Sequence, residues 1–277
     1  MYWIVFVYLV FLSFYTSAEQ LTNQDVDISS GSTLSNDVGL TVRELTGGPY
    51  TIDNRGTIEA SNITSNSNPT VRLEVGTSVD NSGLIDASGS ANLNSILFID
   101  NSGSNSLTNS GTIQTETTGN YGQAINVQDT SVTEITNSSG GTIKVIDSAL
   151  NSGAIRINTG GVVNTITNHG TISATGSVHS RGIISISTAT IDRINNTGTI
   201  IAQGGSSSNR GIAFWNDSGT SVTNSGTIEG TGNSEGYGIR IGDNGSISSI
   251  TNSGTITGGL HGIANGGSIT NIVNTGT

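Results

Sequence analysis

Apolar residues return along this chain in short alternating runs, three to a repeat. After each Gly-Thr-Ile, as in Gly56-Thr57-Ile58-Glu59-Ala60, isoleucine and alanine share one parity while threonine and glutamate share the other. A period of two predicts a strand with one buried face. A second alternation follows, seen as Val71/Leu73, Ile125/Val127, Ile155/Ile157, Ile184/Ile186, Ile212/Phe214 and Ile239/Ile241. A third apolar group, such as Val163 with Ile166 or Ile247 with Ile250, runs up to an asparagine. Polar, glycine-rich stretches separate the three. No segment keeps a helical period, and dense glycine and threonine disfavour one.

The runs recur on one frame, Asn-x-Gly-x-Ile. It starts at Asn54, Asn81, Asn109, Asn168, Asn196, Asn224 and Asn252, is stretched by two residues at Asn137, and stops short of its isoleucine at Asn274. Successive frame glycines stand 27, 28, 30, 29, 28, 28, 28 and 22 residues apart. A fixed period of this size marks a solenoid. The predicted fold is therefore all-β: a right-handed parallel β-helix with one coil of about 28 residues per repeat and three short strands per coil. Each strand pairs with its equivalent about 4.8 Å along the axis. Isoleucine points inward. Glycine supplies either a positive φ or room for close backbone approach. The nine asparagines Asn54, Asn81, Asn109, Asn137, Asn168, Asn196, Asn224, Asn252 and Asn274 are expected to stack as an amide ladder.

The ends of the chain read differently. Residues 1–18 are apolar from Tyr2 to Tyr15 apart from Ser13 and close on Thr16-Ser17-Ala18, the pattern of a cleaved secretory leader, although no Lys or Arg precedes the apolar run. Residues 19–50 lack the frame and are expected to cap the rod; 51–277 carry the repeats, and the break inside the last one predicts a piece of a longer chain.

Composition narrows the chemistry. Cysteine is absent and the net charge is −11, with eight arginines and Lys144 scattered along the chain. Nucleic acid and anionic membrane surfaces call for basic clusters, so neither is an expected partner. The only histidines, His169, His179 and His261, have no ligand spacing. One Gly-x-Ser-x-Gly occurs, Gly232-Asn233-Ser234-Glu235-Gly236, but no segment with a helical period follows it, as a nucleophile elbow requires. The position after isoleucine reads Glu59, Asp86, Gln114, Lys144, Ser173, Ile201, Glu229, Thr257, which is a solvated face and not a carboxylate cluster. Calcium-binding nonapeptides and paired threonine arrays are also missing. No catalytic, cofactor-binding or metal-binding set is expected. The outward position of the second strand reads Arg72, Asn126, Arg156, Ser185, Ala213, Arg240. Arg72, Arg156 and Arg240 are candidate contacts for an acidic glycan, and Trp215, with Phe214 turned inward, is a candidate exposed contact.

A leader, no cysteine, low charge and tandem "NSGTI"/"NTGTI" units resemble the passenger domains of bacterial autotransporters over roughly residues 50–277. The resemblance implies export, then display or release at the cell surface through a C-terminal outer-membrane barrel that is not in this sequence. It implies a structural and adhesive role toward a host or bacterial cell-surface protein or glycan, or toward copies of itself. The competing expectations are a β-helix enzyme acting on polysaccharide, and an inert stalk for a domain elsewhere.

Overall fold

The computed structural model describes residues 21–277 apart from 23, 37–40, 45–47, 65–68, 75, 100–103, 148–149, 216 and 233–234. The predicted leader, 1–18, lies outside the described residues. Three parallel sheets of nine, ten and ten strands wrap one apolar core. In a representative coil Thr171–Thr175 is the first strand, His179–Ile186 the second and Thr190–Asn196 the third. Each pairs in parallel with its equivalent in the next coil. The chain is a parallel β-solenoid. Among the described residues no helix is long and apolar enough to cross a membrane.

Register stacks like on like. Leu34, Ile58, Ile85, Ile113, Ile143, Ile172, Ile200, Ile228 and Ile256 form one inward column on the first sheet. Val71, Ile96, Ile125, Ile155, Ile183, Ile212 and Ile239 form another on the second, all of them buried. Burying such a side chain stabilises the fold by about 1.5–3 kcal/mol, and each is buried largely by its neighbours above and below. Residues of 19–50, expected as a cap, contribute strands to the same sheets: Val26–Ile28 pairs with Tyr50–Asn54, and Thr33–Asn36 with Thr57–Ile63.

The corner after the third strand explains the frame. The frame glycines do not have a positive φ; close approach is what requires them. A Cβ on Gly198 would lie 2.2 Å from the Gly170 carbonyl oxygen, and one on Gly226 2.1 Å from that of Gly198. The same carbonyls accept the amide hydrogens of Thr199 and Thr227 at 2.9 Å. Beside them the asparagine amides run head to tail. Asn54 Nδ2 donates to Asn81 Oδ1, and so on through Asn109, Asn137, Asn168, Asn196, Asn224, Asn252 and Asn274, at 2.6–2.8 Å. The Asn168 Nδ2 group also donates to Gly170 O at 3.2 Å and Thr199 O at 3.1 Å. The ladder starts at Asn54 Oδ1, which has no donor because its neighbour in the preceding coil is Ile28. The two extra residues at Asn137 are absorbed by Gly140 at φ 86°, which leaves Gly141 in the frame position.

One parity differs from the sequence reading. Ile183 and Ser185, not Ile184 and Ile186, face inward in their coil, since Ile183 pairs with Ile155 and Ile212, and Ser185 with Ile157 and Phe214. Ser185 is a tolerated polar residue in the core because its hydroxyl donates to Asp217 Oδ2 at 2.9 Å. Ile184 replaces Ser185 in the outward column.

Candidate functional site

The outer face of the second sheet gathers most of the chemistry that the core and corner do not use. Its strands bend at one position. Ala124 and Ala154 turn into the core just before Ile125 and Ile155, and Gly182, Gly211 and Gly238 hold the same place before Ile183, Ile212 and Ile239. A Cβ on Gly182 would meet the inward Ile200 side chain at 2.6 Å. With two successive residues turned inward, the residue before the bend faces out. That brings a second outward column, Asn94, Gln123, Gly153, Arg181, Arg210, Tyr237, His261, beside the column Arg72, Leu97, Asn126, Arg156, Ile184, Ala213, Arg240.

The sequence candidates Arg72, Arg156 and Arg240 thus share a column, three coils apart, while Arg181 and Arg210 fill the coils between the last two. Strict alternation from Ile212 puts Arg210 inside, and Arg181 falls in the polar stretch ahead of the pair Ile184/Ile186, so neither stands out in the sequence. A signal was present: x-Gly-Ile recurs in four successive coils as Arg181-Gly182-Ile183, Arg210-Gly211-Ile212, Tyr237-Gly238-Ile239 and His261-Gly262-Ile263.

Aromatic rings separate the guanidiniums. The Arg210 Cζ lies 5.0 Å from the Trp215 ring centroid and 5.9 Å from that of Tyr237; Arg240 lies 5.9 and 5.7 Å from the same two rings. Arg156 stands 5.9 Å over Tyr121, and Tyr237 stacks on His261 with centroids 6.1 Å apart. Trp215 is half-buried, lying flat on Gly242, where a Cβ would come within 2.5 Å of its ring. It is thus both a packed wall and a ring edge open to solvent.

Counter-charge is sparse. Arg72 is bound to Glu74, and Arg210 and Arg240 make long pairs with exposed Glu235 and Asp243 at 3.7 and 3.9 Å. Arg156 and Arg181 have no carboxylate partner among the described residues; Arg181 donates only to Asn151 Oδ1, at 3.3 Å. Burial, then the guanidiniums of Arg210 and Arg156, depress Arg181 to about 10, and burial also lowers Arg156 and Arg210. His179 lies next to them, hydrogen-bonded through Nδ1 to Ser208 Oγ at 2.7 Å, and is pushed down first by burial and then by Arg181 and Arg210. At about 10, the Arg181 guanidinium stays protonated at neutral pH.

Between Arg72 and Arg156 the face hollows into an open polar groove of about 420 Å³, lined by Asn94, Leu97, Tyr121, Gln123 and Asn126 among others. Three atoms in it, Asn94 Oδ1, Asn126 Oδ1 and Arg156 Nε, are buried without a hydrogen-bond partner, as are Arg181 Nε and Arg210 Nε beyond it. The ladder asparagines lie at the corner and take no part in this face. Among the described residues no group of three His, Cys, Asp or Glu side chains could hold a metal ion. Comparison with protein-family models, with curated proteins and with solved structures finds no match to this chain.

Proposed function

We propose that the chain is the rod-forming segment of an exported, surface-displayed protein of the autotransporter-passenger kind, with a structural and adhesive role. In this reading the corner ladder holds the rod and the outer face of the second sheet makes the contact. The observation that carries it is the asymmetry of the solenoid. One outer face concentrates Arg156, Arg181, Arg210 and Arg240 with Tyr121, Trp215 and Tyr237, in a chain whose net charge is −11. Aromatic and arginine side chains are the types that dominate recognition surfaces. A rod with nothing to hold has no use for half-buried arginines without a carboxylate partner among the described residues, such as Arg156 and Arg181, which cost stability in the free protein.

Export follows from the leader, and attachment to an outer membrane from a barrel outside this sequence; both belong to the proposal. Beads coated with the purified chain test the adhesive role. They are expected to clump or to attach to bacterial or host cells far above bare beads. Coated beads that neither clump nor attach would leave an inert stalk as the better reading.

A further inference from the structure

We infer that the second-sheet outer face is a binding site for a linear acidic glycan, laid along the rod axis from the groove at Asn94 and Asn126 across Arg156, Arg181, Arg210 and Arg240. The inference rests on the adhesive reading and names its ligand. Four arginines fall on four successive coils, one per coil, Arg181 and Arg210 in one outward column and Arg156 and Arg240 in the adjacent one, so the cationic positions advance about 4.8 Å per coil along the axis over roughly 14 Å. A polymer with an anionic group on every residue matches a repeated cation better than a single small anion does.

The unpartnered atoms say which chemistry is missing. Arg156, Arg181 and Arg210 each leave the Nε hydrogen without an acceptor. Nε and its neighbouring Nη form the edge that grips two oxygens of one planar anion. Arg210 is only 6% exposed and Asn126 8%, so these are built positions and not loose surface charges. In the groove the missing partners have the opposite sense. Asn94 Oδ1 and Asn126 Oδ1 lack donors, which hydroxyl groups would supply. A ligand with both hydroxyls and carboxylates or sulfates satisfies both sets, and the rings of Tyr121 and Trp215 offer flat apolar surface to a sugar ring. Nucleic acid shares the anionic repeat, but DNA has no sugar hydroxyls along its length to donate to Asn94 Oδ1 and Asn126 Oδ1.

The test is a binding titration of the chain with four probes at fixed ionic strength: a galacturonate decamer, dextran sulfate, a neutral glucan decamer and a thymidylate 20-mer. Expected is saturable binding of the galacturonate decamer, or of dextran sulfate if the anion is a sulfate, with at least ten-fold weaker binding of the other two. Arg156→Gln and Arg181→Gln should each weaken binding about ten-fold. Arg193→Gln, which removes an exposed charge from the third sheet, should leave it unchanged. Equal binding of the thymidylate 20-mer, or an equal loss in Arg193→Gln, would reduce the site to unspecific charge and overturn the inference. So would binding of neither acidic glycan. In that last case, coated beads that still adhere would leave the adhesive reading standing, and coated beads that do not would remove both.

Discussion

The Asn-x-Gly corner and the outer face of the second sheet belong to the same coils and obey opposite rules. At the corner every repeat carries the same two residues, because the backbone leaves no alternative. Each frame glycine sits against a carbonyl of the coil before it, and each asparagine between the two ends of the ladder, as at Asn168, spends its amide on the next asparagine and on two main-chain oxygens. On the face the residue changes from coil to coil, and several polar atoms have no partner. Repetition marks where the fold is held; variation with unmet hydrogen bonds marks the face on which the binding proposal rests.

The largest effect that would break this comparison is at a frame glycine. Gly198→Ala places a methyl 2.2 Å from main-chain oxygen and is expected to cost about 4 kcal/mol in urea unfolding. Gly153→Ala, on the face, has nothing nearer than 3.4 Å and should move the midpoint by no more than about 0.5 kcal/mol. If the two behave alike, the corner has no special status.

Next is the ladder. Asn168→Ala takes the amide donor from Asn196 Oδ1 and from the Thr199 carbonyl, leaves the Gly170 carbonyl with the Thr199 amide alone, and removes the acceptor of Asn137 Nδ2, an expected loss of about 3 kcal/mol. Asn54→Ala, at the end where Oδ1 already lacks a partner, should cost about half as much. Equal costs along the column would mean the amides do not act as a chain.

Arg181→Gln sharpens the other side. Its charge is held against burial and two like charges, so the unfolding midpoint should stay within about 0.5 kcal/mol of wild type or rise, while glycan binding falls. A marked loss of stability would make Arg181 part of the scaffold.

The smallest effect is that of pH on His179. Its folded-state pKa is depressed below the ordinary 6.5 by burial, Arg181 and Arg210, with Glu235 opposing. The stability this contributes is complete above 6.5 and is lost as pH falls through the depressed value. Thermal midpoints at pH 7.5 and 5.0 should therefore draw together in His179→Gln relative to wild type. Asp86 and Asp217, both raised by burial, act in the opposite sense, and comparison with the variant cancels them.

How much of this was legible in the sequence follows from the same division. Coil length, three strands and the isoleucine columns all show in a frame that repeats, since stacking forces equivalent residues onto one another. The glycine's role was legible only as a choice between positive φ and close approach, because contact with the neighbouring coil is not a local property. The outer face was half legible. Arg72, Arg156 and Arg240 obey strict alternation and could be placed. Arg210 stands before the inward-turned Gly211, so alternation from Ile212 assigns it to the core, while Arg181 precedes the misplaced pair Ile184/Ile186 in a polar stretch that carries no strand assignment. Ser185 misled in the reverse direction: a hydroxyl satisfied by Asp217 sits inside, while the more apolar Ile184 lies outside over Gly153. The groove needed four coils stacked in register before its residues met.

The most direct test of the division between corner and face is one series of ¹H–¹⁵N spectra of the chain during titration with the galacturonate decamer, or with dextran sulfate where that is the probe bound. Side-chain amides report on both regions at once. The account predicts that the Trp215 indole and the side-chain amides of Asn94, Gln123 and Asn126 shift with saturation, while those of Asn109, Asn137, Asn168 and Asn196 stay where they are. Shifts at the ladder asparagines with none at Trp215 or the groove would contradict it.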